Sequence, residues 1–298
     1  MQFLDGFYVS LGCGLLAFLA RTISLSGIIG GVIFGTIIYG CTGWQGFLVP
    51  LTFFIIGSLC TKIGYKKKAA MGIAQEEGGK RGAKHALANI LAGTIFAVLS
   101  MIFYEKFLSL SSRQIPLVYQ VFQPIPELQT PRDVFGYFYI ACYAAMIGSF
   151  ATAAADTSSS ELGQVYGKTP INPLTFRRVK PGTEGAISME GTLFGILAAL
   201  IVALVGVSMG TFVNNLILSE VLAPLKWPFL MFWIFAIVTG AFLGNLIESI
   251  VGAAGGKKIN NELLNFLNTL IGGVLSGSFI YAITHYVFTH FSGGCLIP

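Results

Sequence analysis

Apolar residues in this chain gather in long uninterrupted runs instead of alternating with polar ones. A membrane-spanning helix needs about 20 mostly apolar residues. Runs of that kind fall at roughly 4–20, 27–42, 44–61, 86–104, 134–155, 189–209, 228–251 and 263–290. The pattern predicts an all-α polytopic membrane protein with about eight transmembrane helices, forming a single transmembrane domain over residues 1–298. The segment 211–225 is too short and too polar to span and predicts an interfacial or outer-face helix. Residues 105–133 carry Pro116, Pro124, Pro126 and Pro131 with few charges, the pattern of a loop covering that face.

Composition agrees with the pattern. Of the 298 residues, 54% are hydrophobic and 10% charged, and the mean hydropathy is +0.76. A soluble domain carries about 25% charge, so the soluble enzyme classes are excluded. The 37 glycines suit closely approaching membrane helices. Pairs spaced as GxxxG occur at Gly31 and Gly35, Gly191 and Gly195, Gly206 and Gly210, Gly240 and Gly244, and Gly273 and Gly277, and predict a tight bundle. The five cysteines are scattered through apolar runs, so neither a disulfide framework nor a zinc site is expected. The first apolar run begins next to Met1 without a basic segment before it, so no cleavable targeting segment is predicted.

Charge placement supplies the orientation. With eight spans, Arg21, Lys62, Lys66, Lys67, Lys68, Lys80, Arg81, Lys84, Lys168, Arg177, Arg178, Lys180, Lys257 and Lys258 fall on one side, and Lys106, Arg113, Arg132 and Lys226 on the other. The basic side is the inner one. Both termini are then outside, and loops 62–85, 156–188 and 252–262 face the cytoplasm, or the stroma in a thylakoid-type membrane. Nothing in the chain points to a nucleic-acid partner, and the oligomeric state is left open.

The inner loops hold the candidate chemistry. In the first, Gly78, Gly79 and Gly82 interleave with Lys80, Arg81 and Lys84 ahead of Asn89. Basic residues beside glycines at a helix start suit phosphate binding; the same residues also suit an anchor on anionic lipid. In the second, Asp156 and Glu161 flank three serines, and Glu184, Ser188 and Glu190 follow. The run from Gly163 to Gly167-Lys168-Thr169 has three residues between its glycines where a P-loop needs four, and it follows a membrane span instead of a strand. A P-loop is therefore rejected. With Glu248 and Glu262, six acids lie on the inner face. Hard oxygen ligands beside phosphate-binding bases suggest Mg2+ held jointly by carboxylates and a nucleotide. His85, His285 and His290 do not cluster. A faint repeat links Asn89-Ile-Leu-Ala-Gly93 to Asn268-Thr-Leu-Ile-Gly272.

The run Asp156-Thr-x-x-Ser-Glu161-Leu-Gly163, then Tyr166-Gly-Lys-Thr-Pro170, then Pro181-Gly-Thr-Glu-Gly-Ala-Ile-Ser188-x-Glu-Gly-Thr192 resembles the integral-membrane phytyl-phosphate kinases of vitamin E salvage. Gly79-Lys-Arg-Gly-Ala-Lys with Asn89, and Glu248-Ser-x-x-Gly252-Ala253, fit the same family. The resemblance implies transfer of a phosphoryl group from a nucleoside triphosphate, CTP foremost, to phytyl or a related isoprenoid monophosphate. It implies Mg2+ as cofactor, with the isoprenoid lipid, the nucleotide and membrane lipid as partners. By charge and position, Lys80, Arg81, Asp156 and Glu161 are the candidate catalytic residues. Asp156, Glu161 and Glu248 are the candidate metal ligands. Lys62, Lys66, Lys84, Asn89, Lys168, Thr169, Glu184 and Ser188 are the candidate contacts for nucleotide and phosphate. The competing reading is a membrane transporter of an anionic or phosphorylated substrate.

Overall fold

The computed structural model describes residues 2–74, 83–111, 131–210, 226–255 and 260–291. These residues form α1 (Gln2–Leu19), α2 (Leu25–Lys62), α3 (Tyr65–Ala70), α4 (Ala83–Ser111), α5 (Pro131–Tyr166), α6 (Met189–Met209), α7 (Lys226–Gly255) and α8 (Asn261–Phe291). Only α3 is too short to cross a membrane; the other seven are long and apolar enough.

The expected second and third spans both lie within α2, whose 38 residues are interrupted at Gly43. The chain folds back there. The Tyr39 and Phe47 rings meet at 5.8 Å, and a Cβ on Gly35 would sit 3.1 Å from the Phe47 ring. In a continuous helix, residues 35 and 47 would stand about 18 Å apart along the axis. At the far end of α2, Lys62 Nζ donates to the Ala20 carbonyl, 3.1 Å, so the chain returns to where α1 ended. Among the described residues, two crossings in α2 and one in each of the other six long helices make the eight expected from hydropathy.

Gly43 makes this hairpin possible. Its φ of 72° and ψ of −175° lie in a region open essentially to glycine alone. Gly43→Ala is expected to cost about 1–3 kcal/mol, read as a lower midpoint of thermal unfolding in detergent.

α5 is the central helix. Ala144, Ala145, Met146, Ile147, Phe150, Ala151, Ala153 and Ala154 are all buried, so the helix is enclosed on every side. α4 packs on it through Gly93 against Phe150 and through the stacked rings of Phe103 and Phe138. α8 packs on it through Gly273 and Gly277, where a Cβ would meet the Ala145 and Ala141 carbonyls at 2.8 and 2.7 Å. α6 crosses it at Gly195, next to the Ala155 carbonyl, and at Gly206, next to Ile147. The expectation that the small-residue pairs are packing contacts is borne out at these crossings.

α5 has 36 residues and so is roughly 54 Å long, against a hydrocarbon core of about 30 Å. It is therefore longer than one crossing needs, and its polar last turns lie at the end where the basic residues collect. Asp156 to Tyr166, expected as part of an inner loop, belong to those helical turns, and the loop proper begins at Gly167. Likewise Glu248 lies inside α7, which continues to Gly255. The expected outer-face helix at 211–225, most of the proline-rich loop, and Lys80 and Arg81 lie outside the described residues.

Candidate functional site

The exposed end of α5 presents two different faces. Asp156, Ser159, Ser160 and Gly163 follow the i, i+3, i+4, i+7 spacing of one helix face and line a cavity of about 450 Å³. Ser158, Glu161 and Val165 form a second face, turned to α2 and α3. There Ser158 Oγ lies 3.4 Å from Cys60 Sγ, and Lys67 Nζ donates to the Val165 carbonyl, 2.5 Å.

Glu161 sits at the meeting point of the two faces. It borders the cavity, but its carboxylate forms an ion pair with Lys68. The two side chains are 1% and 7% exposed for Lys68 and Glu161. Thr61 Oγ1 donates to Glu161 Oε1, 3.3 Å. Lys68 Nζ also donates to the carbonyls of Thr61, 2.9 Å, and Cys60, 3.3 Å. Both charges are paired and hydrogen-bonded, which a buried ion pair requires. The five-residue step from Asp156 to Glu161 turns the helix by about 140°. The two acids of the motif therefore point to different neighbours.

The loop 167–188 forms the outer wall of the cavity. Ile171 and Ile187 exchange both backbone hydrogen bonds, at 2.8 and 2.9 Å. Val179 N–H donates to the Pro170 carbonyl at 2.9 Å, and Asn172 N–H to the Arg177 carbonyl at 2.9 Å. The Asn172 side chain closes the tip by accepting from Leu174 and Thr175 N–H, 2.9 and 3.2 Å. The Pro181-Gly-Thr-Glu-Gly segment then turns against the end of α7. Gly185 has φ of 68°, and a Cβ there would lie 2.8 Å from Ala253 Cα. Both the dihedral and the close approach exclude other residues. Gly185→Ala is expected to lower stability by about 1–3 kcal/mol, and limited proteolysis should then cut the loop 167–188 faster than in the wild type. Beyond Gly185, Ser188 caps α6: Gly191 N–H donates to Ser188 Oγ, 3.1 Å.

The inner walls come from α4, α7 and α8, which supply Asn89, Asn245, Glu248, Ser249, Asn261 and Asn265. Asp156 and Glu248 line the same cavity, close enough for their carboxyl groups to interact. Two carboxylates side by side disfavour each other's ionised form. Asn268 Nδ2 donates to Glu248 Oε2. With its nitrogen turned inward, the Asn265 amide donates to Glu248 Oε1, 3.1 Å. Asn245 Nδ2 donates to Ser159 Oγ, 3.2 Å, tying α7 to α5.

The fold thus brings Asn89, Asp156, Glu161, Glu184, Ser188 and Glu248 to one cavity. Four expected contacts do not line it. Lys62 is committed to the Ala20 carbonyl, and Lys66 is exposed on α3. Lys168 and Thr169 are exposed just beyond α5, where the Lys168 N–H donates to Glu190 Oε2, 3.4 Å. Lys80 and Arg81 lie outside the described residues, as does the side chain of Lys84. Among the described residues no three of His, Cys, Asp and Glu come close enough to hold a metal by themselves. Four contributors escape the sequence reading: Lys68, Asn245, Asn265 and Asn268. Asn268 carries a signal, since it repeats the place of Asn89 in the faint internal similarity.

Fold and site define a polytopic helical membrane protein with a polar, carboxylate-bearing cavity at one end of its bundle. The chain belongs to the integral membrane protein DUF92 family, whose model matches residues 8–273. It is 31% identical over 267 residues to protein VTE6, chloroplastic, of Arabidopsis thaliana, covering 87% of this chain and 65% of that protein. An uncharacterized membrane protein of Synechocystis sp. is 31% identical over 247 residues, covering 82% of this chain and 77% of the relative. Another, of Methanocaldococcus jannaschii, is 30% identical over 268 residues, covering 88% and 87%. These matches bear out the family resemblance drawn from the motifs. No solved structure gives a significant match.

Proposed function

We propose that the protein is an isoprenoid-monophosphate kinase of the phytyl-phosphate kinase type, with CTP as the foremost phosphoryl donor. An oxygen of the acceptor's phosphate attacks the terminal phosphorus of the nucleotide. The bond from that phosphorus to its bridging oxygen breaks, and the nucleoside diphosphate leaves with the electron pair. The acceptor is already an anion, so no strong general base is required. The reaction asks for positioning and charge neutralisation.

The observation that carries this reading is the convergence of the three motif segments on one cavity. Asp156, the Pro181-Gly-Thr-Glu-Gly turn and Glu248 line it together, at the place where α5 leaves the bilayer. A lipid-tailed phosphate has its headgroup at that depth. Mg2+ bound there would neutralise phosphate charge. No basic side chain lines the cavity among the described residues, so the phosphate-binding cations fall to Lys80, Arg81 and Lys84. Glu184 and Ser188 stand where they meet the nucleotide from the loop side, and Asn89 from the inner side. The basic bias favours the cytoplasm or stroma for this end, in a plasma or thylakoid-type membrane. Exposed Leu174 and Phe176, beside exposed Arg177 and Arg178 at the loop tip, fit contact with anionic membrane lipid.

A transporter would need a polar route past α5, and the buried, mostly apolar run from Ala144 to Ala154 occupies that middle. The test is incubation of detergent-purified protein with CTP or ATP labelled at the terminal phosphate and with phytyl or geranylgeranyl monophosphate. The expected result is labelled isoprenoid diphosphate. Absence of that product with either nucleotide would return the protein to the transporter reading.

A further inference from the structure

We propose that the tip of loop 167–188 is a membrane-inserting finger. Phe176 and Leu174 enter the interface of the bilayer that the chain itself spans, and Arg177, Arg178 and Lys180 take anionic lipid headgroups. What the finger serves, holding the cavity's outer wall where a lipid-tailed phosphate arrives, rests on the phosphoryl-transfer reading. The docking itself does not.

The tip is strained and rigid. Phe176 has φ of 54°, in the left-handed region where a bulky residue is an outlier. Neighbouring bonds hold it there. Phe176 N–H donates to the Asn172 carbonyl, 2.8 Å, while the Asn172 side chain accepts from Leu174 and Thr175 N–H. This backbone turns its apolar side chains outward: Phe176 is 77% exposed and Leu174 48%. Packing inside the chain does not offset the strain, because the ring stands outside it.

Charge selects the occupant. From Leu162 to Thr183 the chain holds no acid but carries Lys168, Arg177, Arg178 and Lys180. Among the described residues none of these four forms an ion pair. Exposed apolar side chains beside such cations are complementary to an anionic lipid surface. A second copy of the chain is disfavoured, since two tips meeting would set like charges together.

The tip is within reach of that surface. Ile171, next to Asn172, exchanges both backbone hydrogen bonds with Ile187, and Ser188 caps α6. By these backbone steps Phe176 lies within roughly 20 Å of the start of α6. Met189, the first residue of that span, is itself 78% exposed, and the headgroup layer extends about 5–8 Å beyond the hydrocarbon. The same loop supplies Pro170 and residues 181–188 to the cavity, so a docked tip fixes the cavity's outer wall.

The experiment places single full-length chains in nanodiscs of phosphatidylcholine, alone or in equal mixture with phosphatidylglycerol. One reading is the fluorescence that Phe176→Trp adds to that of the wild type, with brominated lipid as quencher in the bilayer and acrylamide as quencher in water. The other is chymotrypsin cleavage of the wild-type chain after Phe176. In anionic discs the added emission should be blue-shifted, quenched by the brominated lipid and shielded from acrylamide, and cleavage should be slow. In neutral discs, and in anionic discs when Arg177→Gln and Arg178→Gln are added, the ratio of docked to free tip should fall by at least about tenfold. Emission open to acrylamide in both kinds of disc, with rapid cleavage in both, overturns the proposal. So does lipid quenching that is equal in both and undiminished by the arginine replacements. Shielding from acrylamide without quenching by the lipid sets the tip against protein and also overturns it. Cleavage of the wild-type chain decides the matter if Phe176→Trp does not fold. Neither reading needs turnover, so a chain that forms no diphosphate can still dock its tip, and a tip that never docks leaves the kinase test untouched.

Discussion

Replacing Lys68 by methionine is expected to destabilise the protein by about 3–5 kcal/mol, because it leaves Glu161 buried without its counter-charge. Glu161→Gln alone should cost a similar amount for the mirror-image reason. The pair is 93 residues apart in sequence and joins α3 to the end of α5. Its loss should therefore free α3 as well as lower the unfolding temperature. The paired replacement should recover most of the stability, since exchanging a buried ion pair for neutral groups of similar size is often neutral or better. Thermal unfolding in detergent, run as a double-mutant cycle over the four proteins, checks this. Equal destabilisation in the single and paired variants would mean that the two charges do not depend on each other.

The second large effect is on the proposed reaction. Asp156→Asn and Glu248→Gln keep size and remove charge from the two neighbouring carboxyl groups. Each is expected to reduce kcat/KM by about 10²–10³, the scale of removing one group that stabilises charge in a transition state. Both variants should stay folded, so that the loss reads on the reaction and not on stability. The double variant should be little worse than either single one, as expected for groups that act as a unit. Steady-state kinetics with Mg2+ held in excess, beside unfolding curves with and without it, separate the two effects. Full activity in either folded single variant would remove that carboxylate from the site.

Several elements are legible in the amino-acid sequence. Hydropathy marks each long helix, and the split of basic residues groups Arg21 with Lys62. The Lys62 contact at Ala20 puts those two residues at one end of the bundle. The glycine turn at Gly182 and Gly185 reads as a special backbone segment. That Gly185 must touch Ala253 does not, because the partner lies on another helix. The inner loop is shorter than its polarity suggests. Polarity begins at Asp156, but the helix continues to Tyr166. Hydropathy reports where a helix leaves the lipid, whereas hydrogen bonds decide where it ends. The faint similarity between Asn89 and Asn268 is visible in sequence, and both residues are buried at the same end of the bundle. What either one touches is not visible there.

The sequence by itself determined that the chain is a helical membrane protein, how often it crosses, and at which end its charges collect. Those properties follow from the cost of placing each residue in lipid, which is local to the residue and its neighbours along the chain. Only the tertiary structure decided the partners. Asp156 and Glu161 belong to one motif, yet Asp156 meets Glu248 and Glu161 meets Lys68. The reason is the angle between them on α5 and the identity of the helices packed against each face. Those are properties of how helices pack, and they are not written in the spacing of either acid's own segment.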